Sequence, residues 1–73
     1  EPPNYLLKDS YFADKYYLAD DYIYYDNYVK ALPILLELDK LFDNNANVKF
    51  KIGLCYLSLK KYKKALPYLI KAK

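Results

Sequence analysis

The side chains that carry most enzyme chemistry are nearly absent from this sequence. It contains no histidine, so no imidazole can act as a general base, activate a serine or ligate a metal. The single cysteine, Cys55, cannot close an internal disulfide or build a thiolate zinc site. The single glycine, Gly53, cannot form a phosphate-binding glycine loop. We therefore predict that the protein is not an enzyme and uses no metal or cofactor.

Three polar features could still support chemistry, and each has a simpler structural interpretation. A reactive Cys55 would need a nearby cation such as Lys51, one helical turn before it, and the alternative is a small buried thiol. Asp20 and Asp21 would point to different faces of a helix, so they cannot share a proton. The Asp43–Asn45 turn has oxygen ligands without the spacing of a calcium loop. None of the three is predicted to be a catalytic or metal site.

Charge is divided unevenly along the chain. Residues 1–45 contain all nine acids and four lysines, a net charge of −5, whereas residues 46–73 contain eight lysines and no acid, a net charge of +8. The densest basic cluster, the lysine turn, consists of Lys60, Lys61, Lys63 and Lys64. We interpret it either as a solvated turn or as a surface for an acidic protein partner. No arginine is present for bidentate base recognition, so nucleic acid is not a predicted partner.

Length and composition favour one small folded domain. Hydrophobic residues make up 55% of the 73 residues, too many for a disordered tail. The longest apolar run, near Leu32–Leu36, is far shorter than the ~20 residues of a membrane span, so no membrane insertion is expected. A chain of this length buries roughly 60% of the surface that its unfolded form exposes, which makes its core marginal.

An internal repeat organises the chain. The segment Tyr28–Pro33 returns 34 positions later as Tyr62–Pro67, and the same repeat offset aligns residues 12–39 with residues 46–73, with eight identical pairs. Each copy has the apolar spacing of two helices. In the first helix, Asp9 or Ser10 is the predicted N-cap and Asp26-Asn27 the end. The apolar residues that share one face of this helix are Leu18, Tyr22 and Tyr25.

Three further helices follow from the same periodicity. The second is predicted from about Asn27 to Leu41, the third from an N-cap at Asn44 or Asn45 to about Leu59, and the fourth to Lys73. The predicted inward face of the second helix contains Tyr28, Ala31, Leu32, Leu35 and Leu38. The predicted inward residues of the third helix are Ile52, Gly53 and Tyr56.

This pattern resembles the tetratricopeptide repeat, a helix-turn-helix unit with a period of about 34 residues. The resemblance rests on Ile52-Gly53, Tyr56, Tyr62, Ala65 and Leu69 in the second copy and on Leu18-Ala19, Tyr22, Tyr28, Ala31 and Leu35 in the first. It implies an all-α fold of two antiparallel helix-turn-helix units stacked as a short right-handed solenoid. It also implies that small residues such as Gly53 and Ala65 lie where paired helices cross.

The resemblance also gives a division of the chain. Residues 1–11 would be a lead-in or the tail of a preceding repeat, with Tyr5, Leu6 and Leu7 covering the first helix; residues 12–45 would be the first repeat and residues 46–73 an incomplete second one. The chain is therefore expected to be a fragment of a longer solenoid or to sit against a partner. The amino-acid sequence of residues 30–72 resembles the repeats of Bacteroidetes envelope proteins, which combine such repeats with a β-propeller and a peptidoglycan-binding domain. That likeness implies the periplasm or cell envelope, with the cytoplasm as the alternative.

The first helices of successive repeats in this family line a concave groove. The residues expected on that groove are Tyr16, Asp20, Ile23, Tyr24, Asn47, Phe50, Leu54 and Leu57. The implied function is a non-enzymatic scaffold that binds a partner peptide or helix through apolar anchors. Two alternatives stay open: these side chains pack only against neighbouring helices, or the chain is a structural packing segment of a larger envelope complex. Self-association through the helix ends is also expected, because the two halves carry opposite charge.

Overall fold

Four α-helices form the fold. The computed structural model describes residues 4–42 and 44–72, and the side chains of residues 10–42 and 44–72. Helix α1 spans Asn4–Tyr24, α2 spans Tyr28–Leu41, α3 spans Ala46–Ser58 and α4 spans Tyr62–Lys71; no strand occurs in the described residues. The predicted all-α fold class is confirmed.

Each helix packs on the helix that follows it. The contacts run from α1 to α2, from α2 to α3 and from α3 to α4, in sequential antiparallel-like pairs. The resulting body measures 44 × 25 × 15 Å along its principal axes. This sequential order places α3 between the first helix pair and α4, whereas α1 and α4 each have a side that no described helix covers.

The turn between α1 and α2 is a helix-terminating motif with a left-handed residue. Asp26 has a φ of 59°, and its N–H donates to the carbonyl oxygen of Ile23 at 2.9 Å. The N–H of Asn27 donates to the carbonyl oxygen of Tyr22 at 2.7 Å. This is the pattern of a Schellman C-cap, which satisfies the last carbonyls of α1 and reverses the chain.

The turn between α3 and α4 has the same geometry at the equivalent positions of the second repeat. Lys60 has a φ of 63°, and its N–H donates to the carbonyl oxygen of Leu57 at 2.9 Å. The N–H of Lys61 donates to the carbonyl oxygen of Tyr56 at 2.7 Å. The two turns, which are 34 residues apart, therefore have the same backbone conformation and the same hydrogen bonds. A non-glycine residue in the left-handed region costs roughly 1–2 kcal/mol, so both turns hold some strain.

Side-chain caps define the start of two helices. The Asn27 side chain accepts a hydrogen bond from the N–H of Lys30 at 3.3 Å, and the Asn45 side chain accepts one from Val48 at 3.1 Å. Of the two predicted caps for α3, the structure selects Asn45. Lys61 occupies the N-cap position of α4 and makes no side-chain cap bond.

The core is one cluster of buried residues to which all four helices contribute. Its buried members are Ala19 from α1, Ala31, Leu35 and Leu38 from α2, Val48, Ile52, Cys55 and Tyr56 from α3, and Ala65 from α4. The predicted inward residues of α3 are confirmed, and those of α2 are buried or half-buried. Burial is greatest in α2 and α3, because only these helices have a packed neighbour on both sides.

The crossing of α3 and α4 depends on a residue without a side chain. A Cβ atom on Gly53 would lie 2.5 Å from Cδ2 and 2.7 Å from Cγ of Leu69, and 3.5 Å from the carbonyl oxygen of Ala65. Carbon atoms in ordinary contact are separated by ≈ 3.5–4.0 Å. The predicted close approach at Gly53 and Ala65 is therefore confirmed.

The beginning of α1 differs from the prediction. The helix is continuous from Asn4, so the predicted N-cap at Asp9 or Ser10 is wrong, and α1 runs through the proposed boundary between residues 11 and 12. The prediction that Tyr5, Leu6 and Leu7 cover the first helix concerns side chains outside those that the structure describes. Residues 43 and 73 are also outside the described residues. A run of residues from Asn4 onward without glycine or proline allows the helix to extend.

Exposure along α1 depends on which helix packs against each face. Ala19 is fully buried, whereas Leu18 and Tyr25 have 40% and 77% of their surface exposed. The repeat pattern predicts a core role for Tyr62, and this prediction is wrong because Tyr62 is exposed. The equivalents of Leu18 and Tyr62 in the other copy, Ile52 and Tyr28, are buried and half-buried.

Candidate functional site

Helices α1 and α3, on which the groove is predicted, are joined by a lysine that was not among the predicted site residues. The Nζ atom of Lys51 on α3 donates to a carboxylate oxygen of Asp20 on α1 at 2.6 Å. The same atom lies 5.4 Å from the centre of the Tyr16 ring. These contacts bring Asp20 and Tyr16, two of the predicted groove residues of α1, next to α3.

The environment of Lys51 determines the charge of this groove. Partial burial by itself would lower the lysine pKa, but the hydrogen bond to Asp20 and the attraction of Tyr16 and Asp20 outweigh it, so the pKa of Lys51 is raised. The ammonium therefore remains charged and neutralises Asp20. The one acid expected on the groove is paired, and the surface is mainly aromatic and aliphatic.

The eight predicted groove residues divide by exposure into two groups. The exposed residues are Tyr24, Asn47, Phe50 and Leu57, and the half-buried ones are Tyr16, Asp20, Ile23 and Leu54. Tyr24 has 80% of its surface exposed and Phe50 has 54%. Ile23 packs partly against the core, and Tyr16 stacks on Phe12 with ring centres 5.5 Å apart. Half of the set is thus available to a partner, and the other half also supports the helices.

A cavity opens between α1 and the start of α3. Its volume is about 210 Å³, and its walls are Phe12, Ala13, Tyr16, Tyr17, Asn45 and Asn47. The structure brings the predicted residues Tyr16 and Asn47 together here. The sequence analysis did not assign Phe12, Tyr17 or Asn45 to the groove. The spacing of Phe12 and Tyr16, one helical turn apart, is the signal that could have placed Phe12 beside Tyr16.

The lysine turn forms a separate surface. Lys60, Lys61, Lys63 and Lys64 line an open depression of about 350 Å³ together with Tyr62, and all five residues are exposed. Among the described side chains, no acid lies within 4.0 Å of these ammonium groups, although Lys64 lies 5.9 Å from the centre of the Tyr56 ring. The four predicted residues are adjacent, and they point toward solvent.

Two other lysines of the basic half are bound within the chain. Lys49 of α3 pairs with Asp39 of α2, where both side chains are less than one-fifth exposed. Lys51 pairs with Asp20, as described above. Part of the attraction between the acidic and basic halves is therefore satisfied inside a single chain and helps to hold α3 against the first helix pair.

Cys55 has the environment of a structural thiol. It is fully buried, and burial raises its pKa from the ordinary value of 9.0 to about 11, against a smaller opposing effect of Lys51. The thiolate that would react is therefore scarce near neutral pH. In the described part of the chain, no three potential metal-ligating side chains come together, and no helix has both the length and the apolarity to cross a membrane.

No family model, curated protein or solved structure matches this chain.

Proposed function

We propose that this chain is a pair of tetratricopeptide-like units, stacked with a right-handed twist, that binds a partner protein through the groove along α1 and α3. The proposal has three parts, which are the repeat identity, the groove as the site, and a peptide or helix as the partner. The repeat offset shared by sequence and turn geometry supports the first part. The second and third parts rest on the exposed side chains of the groove.

The observation that carries the proposal is the exposure of large aromatic side chains on adjoining helices. Tyr24 and Phe50 present rigid apolar surface, and the cavity lined by Tyr16 and Asn47 can accept a side chain of a bound segment. Aromatic anchors of this kind supply most of the binding energy in protein interfaces. Because Lys51 neutralises Asp20, an apolar partner would not have to desolvate an unpaired acid.

The lysine turn is the weaker candidate for the main site. Its four lysines are exposed, and exposed ion pairs contribute only about 0–1 kcal/mol each. Such charges act mainly on the rate of association with an acidic partner. We assign the turn a steering role in partner binding. The envelope compartment is proposed on the sequence resemblance alone.

A peptide display selection tests the groove directly. The 73-residue chain is immobilised, random peptides are selected on it, and the dissociation constants of the selected peptides are measured by fluorescence anisotropy. The double variant Tyr24→Ala/Phe50→Ala should weaken binding at least tenfold, which corresponds to about 1.4 kcal/mol. Helix content, followed by circular dichroism, should not change, because both side chains are exposed.

Two controls separate the groove from the rest of the surface. Val29→Ala removes exposed apolar surface from α2, outside the predicted groove, and it should leave affinity unchanged. Replacing the four lysines of the turn by Gln should slow association more than it shortens the lifetime of the complex. The groove would be rejected if the lysine set abolished binding while the aromatic pair had no effect, or if no peptide were selected.

A structural packing role is the second candidate function. It is favoured by the exposed apolar side of α4, which in the first helix pair has a covered equivalent. Under this function the groove stays empty and the chain acts through its ends.

A further inference from the structure

The outer side of α4 carries an uncovered row of large apolar residues, the tail stripe. Its members are Tyr62, Leu66 and Ile70, with 60%, 59% and 57% of their surface exposed. They are spaced at every fourth position, so they lie along one side of the helix. The equivalent residues of α2, one repeat offset earlier, are Tyr28, Leu32 and Leu36, and all three are half-buried against the core.

Helix α3 packs against α2, and no described helix packs in the same way on α4. Val48, Ile52 and Cys55 of α3 are fully buried in the same core cluster against which the α2 residues pack, and we take them as the face that covers α2. It lies between two lysines that reach back to the first helix pair: Lys49 pairs with Asp39 of α2, and Lys51 pairs with Asp20 of α1. The contact between α2 and α3 therefore shows how a stripe of this kind is buried by the helix that follows.

The same face occurs on α1, where it is exposed. The head stripe consists of Asp14, Leu18, Asp21 and Tyr25. These residues lie 34 positions before Val48, Ile52, Cys55 and Leu59, the last of which is the C-cap of α3. All four residues of the head stripe are exposed. Leu18 and Tyr25 offer apolar surface for the tail stripe. Asp14 and Asp21 take the positions of the fully buried Val48 and Cys55, so in the docked pair they need cationic partners, and Lys63, one helical turn from Leu66, is exposed beside the stripe.

We propose that a second copy of this chain docks its head stripe on the tail stripe of the first, so that α1 lies on α4 as α3 lies on α2. The charges agree with this occupant, because the head belongs to the half with a net charge of −5 and the tail to the half with +8. Neither stripe contains a residue of the predicted groove set, so variants of the stripes test the contact separately from the proposed groove function.

The groove continues across this junction. Tyr17, which is 66% exposed, occupies the position equivalent to Lys51. In the stacked pair it lies beside Phe50 and Leu54 of the other copy, which are equivalent to Tyr16 and Asp20. An apolar contact thus replaces the Lys51–Asp20 pair at the junction.

The contact joins two different surfaces and is therefore open-ended. Each copy keeps a free head or a free tail after docking, so assembly continues as the concentration rises unless the rotation closes a ring. A symmetric contact between two tail stripes would instead stop at a dimer and would bring like charges together. The two arrangements give different results when only one end is blocked.

The test uses two blocked variants of the whole chain. The tail-blocked variant is Leu66→Lys/Ile70→Lys, and the head-blocked variant is Leu18→Lys/Asp21→Lys; all four side chains are exposed, so helix content should be retained. Sedimentation velocity of the unaltered chain should show larger species as concentration increases. Each variant alone should remain monomeric, and an equimolar mixture should form dimers that do not grow, because one free tail meets one free head.

Two controls make the result specific. Val29→Lys alters an exposed apolar residue outside both stripes and should leave association as in the unaltered chain. Raising the salt concentration should weaken the charge contribution to association.

Several results would overturn the inference. A head-blocked variant that still dimerises alone indicates a tail-to-tail contact, and a mixture of the two variants that stays monomeric excludes complementary ends. A chain that is well folded and monomeric at every concentration, or blocked variants that associate like the unaltered chain, would equally reject docking through these stripes.

Discussion

Gly53 gives the sharpest test of the packing, because two opposing effects act on one methyl group. Replacing it with alanine in the middle of α3 should stabilise the helix itself by about 1 kcal/mol. The added methyl, however, would lie 2.5 Å and 2.7 Å from two side-chain carbons of Leu69. The sign of the measured change therefore reports whether α3 and α4 approach as closely as the structure shows.

The expected size follows from these two contributions. Overpacking a filled site costs typically about 1–3 kcal/mol, so Gly53→Ala should lower the free energy of unfolding by about 0–2 kcal/mol. In the Leu69→Ala variant the obstructing side chain is gone, so Gly53→Ala should raise the free energy of unfolding of that variant by about 1 kcal/mol. The coupling energy between the two positions is then about 1–3 kcal/mol. Gly53→Leu should cost more than Gly53→Ala, since it adds three further carbons.

The assay is urea unfolding of the four chains of this double-mutant cycle, followed by far-ultraviolet circular dichroism. Ala19, which is fully buried at the equivalent position of α1, provides the comparison for an alanine that a helix crossing accepts. The reasoning fails if Gly53→Ala stabilises the unaltered chain as much as it stabilises the Leu69→Ala chain. That outcome would mean that the two helices are farther apart or meet in another register.

Two further predictions concern the α4 cap and the buried thiol. Lys61→Asn should stabilise the chain by about 0.5–1 kcal/mol in urea unfolding, because Asn27 caps α2 at the equivalent position while Lys61 makes no cap bond; a neutral or destabilising result would show that the cap geometry differs. Cys55 should react with a thiol reagent at pH 8 about a hundredfold more slowly in the folded than in the unfolded chain, since its pKa rises from 9.0 to about 11. Because the folded chain holds the thiol proton more tightly than the unfolded chain, the free energy of unfolding should fall as pH rises from 9.0 to about 11. The difference in free energy of unfolding between the unaltered chain and Cys55→Ala should therefore become smaller over this pH range. Equal reactivity of the thiol in the folded and unfolded chains would contradict its burial.

Several features of the fold could be predicted from the sequence because their causes are local. The N-terminal starts of α2 and α3 are set by Asn27 and Asn45, whose side chains cap these helices. The repeat offset anticipated that both turns would repeat, and their hydrogen bonds do so with equal lengths. The crossing at Gly53 was predictable because the sequence has one glycine, placed on the inward side of an apolar helix.

The exposure of equivalent residues was decided by tertiary structure. Leu32 and Leu66 are identical in type and in repeat position, yet Leu32 is half-buried and Leu66 is exposed, since only α2 has a helix packed on that side. Leu18 is exposed and its equivalent Ile52 is buried for the same reason. Helical periodicity gives the face on which a residue lies, but burial depends on whether another helix covers that face. The pairing of Lys51 with Asp20 likewise required two helices distant in sequence to meet, which no local pattern specifies.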